Sequence, residues 1–404
     1  MKNIMNILFA GCLLVCIGCK AQNNHSATPA SDAVEQPSEV VTGDAQTNVY
    51  YPLLKGKRVA VFGNHTALLP DGQHLLDRLL QDGHQVTAAF SPEHGFRGTA
   101  DAGEHVASDV DAQTGIPILS LYDGGDNRPS ASSMQKFDVL LVDIQDVGLR
   151  FYTYYITMCR LMQACADYGK EVIVLDRPNP NGHLVDGPIL DMKYKSGVGW
   201  LPIPVLHGMT LGELAQMAVG KGWLGTKNPC KLRVIPCLHY THHTLWSIQV
   251  PPSPNLPNMT AVYLYPSLCY FEATPVSVGR GTDHPFQIYG HPSMKGRSYT
   301  FTPESRSGAK NPPLKAKLCQ GVDLRMDTVS LASKGIDLTY LIDAYTDLQQ
   351  GDKFFTSFFE KLIGVDWVRP MIEQGKSAAE IQARWQPDVE QFKKDRKPYL
   401  LYEE

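Results

Sequence analysis

The stretch that decides the fold is VTAAFSPEHGFRG, residues 86–98. Four of its first five residues are apolar and the fifth, Thr87, is β-branched. This composition is typical of a buried strand. Ser91-Pro92 ends the run, because proline disfavours helical geometry in the residue before it. An acid, Glu93, and an imidazole, His94, are therefore predicted just beyond the carboxyl end of a strand, where open α/β sheets bind their ligands.

Comparable apolar runs recur on both sides of this stretch and alternate with helical patterns. Strands are predicted at 57–64, 86–90, 118–122, 138–143, 172–176 and 203–206, and helices at 75–81, 151–166 and 211–219. Such alternation favours an α/β fold with a Rossmann-like, doubly wound parallel sheet. The first strand is followed by no G-x-G-x-x-G sequence, so no nucleotide-binding motif supports a nucleotide ligand.

The alternation stops near residue 231, where proline-rich and aromatic segments begin. Strand patterns follow at 231–235 and 322–325, and helical patterns at 340–348, 353–362 and 378–386. We therefore predict a Rossmann-like domain over 49–230 and a smaller α+β domain over 231–404. The 404 residues are 43% hydrophobic with a formal net charge of -4. That charge and the absence of a basic run give no reason to expect a nucleic-acid partner.

The N-terminus has the pattern of an export signal rather than of a folded segment. Lys2 precedes an apolar run that is too short to span a membrane and that ends at Cys19. We interpret 1–19 as a lipoprotein signal peptide with Cys19 as the acylated residue; a plain cleaved signal is the alternative. Residues 20–48 are mostly polar or small and predict a flexible tether. The expected location is outside the cytoplasm, on a lipid anchor facing the periplasm.

Polar side chains cluster after the predicted strands, where the loops of a parallel sheet share one rim. The cluster comprises Glu93 and His94 after the second strand, Asp143, Asp146, Arg150, Tyr152 and Tyr154 after the fourth, and Asn179 after the fifth. Some of these residues must be structural, Asp143 and Asn179 foremost. The smaller domain adds Asn255, Glu272, Arg280 and His284.

A carboxylate on each of two domains suits glycoside hydrolysis, in which one acid protonates the leaving oxygen and another acts as base or nucleophile. Simpler roles stay open: Glu93 could cap a helix or pair with Arg97, and Glu272 could pair with Arg280. The histidines lack the spacing of a metal site, so we expect neither a catalytic metal nor a cofactor.

Five motifs in order resemble one family. They are SPEHGFRG (91–98), DIQDVGLRFYTY (143–154), DRPNP (176–180), PSPNLP (252–257) and FEATPVSVGRGT (271–282). From about Leu54 to the C-terminus the chain is similar to the exo-β-N-acetylmuramidase family of the NamZ type. The resemblance implies a glycosidase that removes N-acetylmuramic acid from the non-reducing end of peptidoglycan fragments, such as muropeptides and MurNAc-GlcNAc.

The resemblance also implies an active-site cleft between the two domains and roles for the motif residues. Glu93 is the first choice as general acid/base, and Glu272 is the candidate second carboxylate, with Asp143 and Asp146 as rivals. Arg150 and Arg280 are expected to bind the lactyl carboxylate of muramic acid. Predicted sugar contacts are His94, Tyr152, Tyr154, Asn179, Asn255 and His284.

Two other functions stay open at this point. A cell-wall esterase or deacetylase is one, although no G-x-S-x-G elbow is present. A non-catalytic muropeptide-binding lipoprotein is the other. A retaining or an inverting outcome is equally open.

Overall fold

The computed structural model describes residues 39–92, 95–97, 109–121 and 128–404. The strands in these ranges are β1 Val59–Gly63, β2 Val86–Phe90, β3 Asp109–Val110, β4 Pro117–Leu119, β5 Val139–Asp143, β6 Glu171–Leu175, β7 Lys231–Ile235, β8 Ile288–His291, β9 Tyr299–Phe301 and β10 Cys319–Asp323. The helices are α1 Thr47–Leu54, α2 Leu75–Gln81, α3 Ala131–Met134, α4 Tyr154–Asp167, α5 Leu211–Gly220, α6 Met259–Leu268, α7 Thr328–Ala332, α8 Thr339–Leu348, α9 Phe358–Ile363, α10 Val368–Glu373 and α11 Ala378–Arg396. Short 3-10 turns lie at Met192–Tyr194, Cys269–Ala273, Gly351–Lys353 and Lys397–Tyr399.

The larger sheet has the order β3-β4-β2-β1-β5-β6-β7. Its strands pair in parallel except for β3, which is antiparallel to β4. Numbered among themselves, the six parallel strands run 3-2-1-4-5-6, which is the Rossmann order. The Rossmann-like fold is therefore confirmed. The strand order reverses between β1 and β5, and doubly wound sheets bind ligands at the carboxyl ends of such a pair.

Both faces of the larger sheet are buried. In β1, Ala60 and Phe62 belong to the core on the α4 side, whereas Val59 and Val61 pack with α1 and α2. This two-sided burial explains why the strand is apolar throughout instead of alternating with polar residues. The smaller, antiparallel sheet has the order β8-β10-β9. The core on the α4 side continues from α4 into α6, α8 and α11, so one apolar core serves both sheets.

The predicted strands that became β1, β2, β5 and β6 are confirmed, and so are α2, α4 and α5. The strand predicted at 203–206 is wrong, because Leu206 makes only isolated bridges, to Leu149 and Asp186. Proline at 202 and 204 removes the backbone N–H groups that a central strand needs. The place beside β6 is taken by β7, a segment that we had assigned to the smaller domain. The domain division itself stays a prediction.

Two helices extend beyond what prolines in the sequence suggested. Helix α6 includes Pro266, in a segment for which no helix was predicted. Helix α11 continues through Pro387 to Arg396, ten residues beyond the predicted end. In α11 the buried Ile381, Trp385, Val389 and Phe392 follow helical spacing. Packing of this face outweighs the hydrogen bond lost at the proline.

Residues 39–48, which we had assigned to the tether, belong to the fold. The Val41 N–H donates to the Leu238 carbonyl over 3.0 Å, and the buried Asp44 carboxylate lies 3.1 Å from the Arg177 guanidinium. These polar contacts bind the segment to the rest of the fold. Its low apolar content therefore did not indicate that it is folded. Residues 1–38, including Cys19 and the predicted signal, lie outside the described residues. Among the described helices, none has the length and apolarity needed to cross a bilayer.

Candidate active site

A cavity of about 130 Å³ lies where the start of α4 faces the C-terminal part of the chain. Its walls are Phe151, Tyr152, Thr153, Tyr154, Val198, Ser253, Asn255, Leu256, Tyr265, Glu272, Arg280 and Phe286. Five of the predicted site residues are among them: Tyr152, Tyr154, Asn255, Glu272 and Arg280. The fold thus brings together side chains from positions up to 135 residues apart in the sequence.

Hydrogen bonds fix this cavity next to the reversal point of the larger sheet. The hydroxyls of Tyr152 and Tyr154 each donate to the Pro252 carbonyl over 2.9 Å. The amide of Asn64, the residue after β1, donates to the Tyr154 hydroxyl over 3.1 Å. The loop around Pro252 is therefore held against the carboxyl end of β1, where the sheet topology predicts a ligand.

Glu272 and Arg280 form an ion pair on the cavity wall, as the simpler interpretation of these residues predicted. The Arg280 Nε and Nη2 lie 2.8 and 2.7 Å from Oε1 of Glu272, and Cys269 Sγ lies 3.7 Å from its Oε2. Burial lowers the pKa of the Arg280 guanidinium. The neighbouring Glu272 carboxylate raises it by more, so the net shift of the pKa is upward. No described residue accepts a hydrogen bond from Arg280 Nη1.

The Phe286 ring packs against the guanidinium of this arginine. The Arg280 guanidinium carbon lies 5.0 Å from the centre of the Phe286 ring, within the range of a cation–π contact. The same ring packs edge-on against Tyr265, with centroids 4.7 Å apart. Phe286 has φ 55°, a left-handed conformation that is unfavourable for a bulky side chain. Such strain concentrates at functional sites.

Asn255 and His284 have different surroundings. Asn255 is buried in the cavity wall, and its amide donates to the Gly308 carbonyl over 2.9 Å. His284 does not line the cavity; its Nε2 lies 2.7 Å from Nη1 of Arg325. Asn255 therefore lines the cavity, whereas His284 contacts the neighbouring Arg325.

Asp143 and Asn179 serve the fold, as anticipated for these two residues. Asp143 is fully buried, and its carboxylate receives Nε and Nη2 of Arg177 at 2.6 and 3.0 Å. Burial raises the pKa of Asp143 to about 6, against the opposing effect of Arg177. The Asn179 side chain donates to the Met209 carbonyl and accepts from the Asn181 N–H. Neither side chain lines the cavity.

Arg150 does not reach the cavity, and its predicted contact with the lactyl group needs correction. Its Nη1 donates to the carbonyls of Pro188 and Ile203, and its Nη2 to those of Leu362 and Ile363. No carboxylate of the described residues pairs with it, and burial lowers its pKa to about 10. Arg150 joins the larger sheet region to the end of α9, and of the two predicted arginines only Arg280 lines the cavity.

Asp146 is buried in the turn after β5, close to Tyr152. Glu93 and His94 lie outside the described residues, so their predicted roles stay predictions.

Sequence reasoning missed Tyr265 and Phe286 as wall residues. Phe286 follows the last quoted motif by four residues and Tyr265 lies in an aromatic segment, but the sequence alone assigned neither side chain to a face. Within the described ranges, no group of three histidine, cysteine or acidic side chains could hold a metal ion.

Comparison with known proteins identifies the family. Two protein-family models match the chain. The exo-beta-N-acetylmuramidase NamZ N-terminal model matches residues 59–260, and the corresponding C-terminal model matches residues 263–402. The peptidoglycan beta-N-acetylmuramidase NamZ of Bacillus subtilis (strain 168) is 36% identical over 401 residues, which cover 93% of this chain and 95% of that protein.

Two solved structures of DUF1343 family proteins from Bacteroides fragilis NCTC 9343 share the fold. One has a TM-score of 0.85 at 60% identity, covering 91% of this chain and all of that one. The other has a TM-score of 0.75 at 27% identity, with 90% and 99% covered. Together with the models that span both halves, these matches show that the chain belongs to the exo-β-N-acetylmuramidase NamZ family and is a glycosidase.

Proposed function

We propose that the protein releases N-acetylmuramic acid from the non-reducing end of peptidoglycan fragments during cell-wall turnover and recycling. Family membership and the name of the B. subtilis relative support the substrate class. The observation that carries the proposal is Arg280, which faces the cavity with Nη1 unused by the described residues. N-acetylmuramic acid differs from N-acetylglucosamine by a lactyl group that carries a carboxylate, and the arginine guanidinium is the side-chain group best suited to bind a carboxylate.

The remaining wall suits a sugar. Tyr152, Tyr154 and Tyr265 supply aromatic surface, and Asn255 supplies an amide, a combination typical of small-molecule sites with a few fixed polar groups. The chemistry proposed is hydrolysis with two carboxyl groups, one as acid and the other as base or nucleophile. Glu93, in the family motif, is the first choice as general acid/base.

The test compares two p-nitrophenyl substrates, the β-N-acetylmuramic acid glycoside and the β-N-acetylglucosamine glycoside. We expect release from the muramic substrate alone, and loss of that release in Glu93→Gln. The protein should begin no later than residue 20, because residues 39–46 belong to the fold. Equal cleavage of both substrates would overturn the lactyl recognition.

Two further outcomes would replace the proposal. Binding of muropeptides without release, by folded protein and with no effect of EDTA, would indicate a binding lipoprotein. Release of acetate or an ester group that EDTA abolishes would indicate a metal-dependent deacetylase or esterase.

We also propose that the protein is exported and held by lipid at Cys19, facing the periplasm. The apolar run before this cysteine and the polar segment after it support this location. The expected result is palmitate incorporation and membrane partitioning for the native protein, both lost in Cys19→Ser. Recovery of the native protein in the soluble periplasmic fraction would contradict the anchor.

A further inference from the structure

The ring of Phe286 contacts both a charged and an aromatic side chain of the cavity wall. Phe286 is 1% exposed. The Arg280 guanidinium carbon lies over its ring, 5.0 Å from the centre, and the Tyr265 ring packs edge-on against it with the centroids 4.7 Å apart. Tyr265 in turn packs edge-on against Phe151 at 5.2 Å. Close-packed rings leave little room for movement, so the Phe286 ring is a fixed surface next to the arginine.

The ion pair by itself holds the Arg280 guanidinium incompletely. Its Nε and Nη2 both bind one oxygen of Glu272, Oε1, at 2.8 and 2.7 Å. A fork that used both carboxylate oxygens would fix the plane of the guanidinium, whereas two N–H groups on one oxygen leave it free to turn about that oxygen. Both side chains are also partly exposed, at 19% and 26%, so solvent weakens the pair. A further contact is therefore needed to orient Arg280.

The cation–π contact supplies this restraint without using a hydrogen-bond donor. Such a contact depends on the charge of the guanidinium and leaves its N–H groups free for other partners. Of the cation–π contacts between described residues, only that of Arg280 with Phe286 has both partners in the cavity wall. The ring can therefore hold the arginine while Nη1 stays available for a ligand.

The backbone keeps the ring at this position at a steric cost. Phe286 has φ 55°, and its N–H donates to the Val278 carbonyl over 2.8 Å. The loop closed by this bond turns sharply at Gly279, which has φ 79° and where a Cβ would lie 2.7 Å from the His284 carbonyl oxygen. Glycine accepts a positive φ without strain, so the backbone alone would favour glycine at 286 as well. Contacts of the Phe286 side chain must offset this cost.

We propose that Phe286 is a positioning residue for substrate selection, whose ring holds the Arg280 guanidinium so that Nη1 can bind the lactyl carboxylate of N-acetylmuramic acid. The role rests on the function proposed above. It deepens that function, because it assigns the preference for a carboxylate-bearing sugar to a pair of residues instead of to the arginine alone. Phe286 has no group that transfers protons, and it acts through Arg280.

The decisive experiment is a double-mutant cycle between Phe286→Leu and Arg280→Met, measured as kcat/KM on the p-nitrophenyl muramic substrate. Leucine keeps an apolar side chain but has no π face, and methionine keeps much of the volume without the charge. We expect Phe286→Leu to lower kcat/KM about 10-fold in the native background, chiefly through KM, and less than about 2-fold in the Arg280→Met background. Phe286→Tyr, which keeps the ring, should stay within about 3-fold of the native value.

Phe151→Leu is the matched control. It removes a ring of the same wall that packs against Tyr265 and Tyr270 instead of against a cation. Its effect should be the same in both backgrounds, whatever its size. Phe286→Gly is a second variant in case leucine is not tolerated in the left-handed conformation. Glycine adopts that conformation without strain and also removes the ring, so we expect the same dependence on Arg280.

The affinity for free sugars supplies a readout that needs no turnover. Titration calorimetry with N-acetylmuramic acid should give a Kd about 10-fold higher for Phe286→Leu than for the native protein. The Kd of N-acetylglucosamine should change less than about 2-fold, because this sugar has no carboxylate for the arginine to bind. A ring that only maintained the shape of the cavity would affect both sugars alike.

Three results would overturn the role of Phe286 and leave the proposed function intact. They are equal losses from Phe286→Leu in both backgrounds, no loss in the native background, and equal losses from Phe286→Leu and Phe286→Tyr. Absence of muramic acid release by the native protein would instead overturn the proposed function. In that case, preferential binding of N-acetylmuramic acid that weakens in Phe286→Leu would still support the positioning role, and equal binding of the two sugars would overturn it as well.

Discussion

Arg150 and Arg280 have the same predicted role, yet the fold places them in opposite surroundings. Arg150 is fully buried and donates to four backbone carbonyls at a junction with the end of α9. Arg280 is 19% exposed along its side chain, is bound to one carboxylate oxygen, and faces a cavity. Charge alone does not make an arginine a ligand-binding residue. What decides is whether the fold leaves donors unused and open to a cavity.

The largest effect is expected at the buried junction. Arg150→Met keeps much of the side-chain volume but leaves four buried carbonyls without donors. We expect the unfolding free energy to fall by about 3–5 kcal/mol, measured by urea denaturation. The guanidinium also packs closely against Gly364, at the end of α9. A Cβ at that position would lie 2.5 Å from Arg150 Nη2.

Arg280→Met is the matched control for that measurement. It should change the unfolding free energy by no more than about 1 kcal/mol, since its ion pair is partly exposed. Similar losses for the two variants would remove the distinction between a structural and a binding arginine.

A smaller effect is expected in the cavity. Arg280→Ala should lower kcat/KM on the muramic substrate about 100-fold, equivalent to about 2.7 kcal/mol. Residual cleavage of the N-acetylglucosamine analogue should not fall further, because that sugar has no lactyl carboxylate. Arg280→Lys should recover part of the loss, since it restores charge without the planar fork. An equal loss on both substrates would assign Arg280 to the architecture of the site instead.

The smallest effect is expected from Glu272→Gln. With Glu272 as the partner of Arg280, the change weakens the position of the guanidinium but removes no proton donor. KM for the muramic substrate should rise about 5- to 10-fold, with kcat within about 3-fold of the native value. A kcat loss of about 1,000-fold or more would return Glu272 to the role of second catalytic carboxylate.

The sequence by itself determined the sheet and the rim. Short apolar runs, separated by helical and loop segments, predicted β1, β2, β5 and β6, because strands buried on both faces are apolar throughout. The motifs after those strands predicted where polar groups gather, and their family resemblance is confirmed. These features are local, so short stretches of sequence are enough to specify them.

Only the tertiary structure decided what each polar group does. The carbonyls that bind Arg150 come from residues 38 to 213 positions away. The packing of α6, a helix that includes Pro266, likewise depends on distant partners. Burial and hydrogen-bond saturation arise when remote segments meet, so no spacing along the chain could distinguish a structural arginine from a binding one.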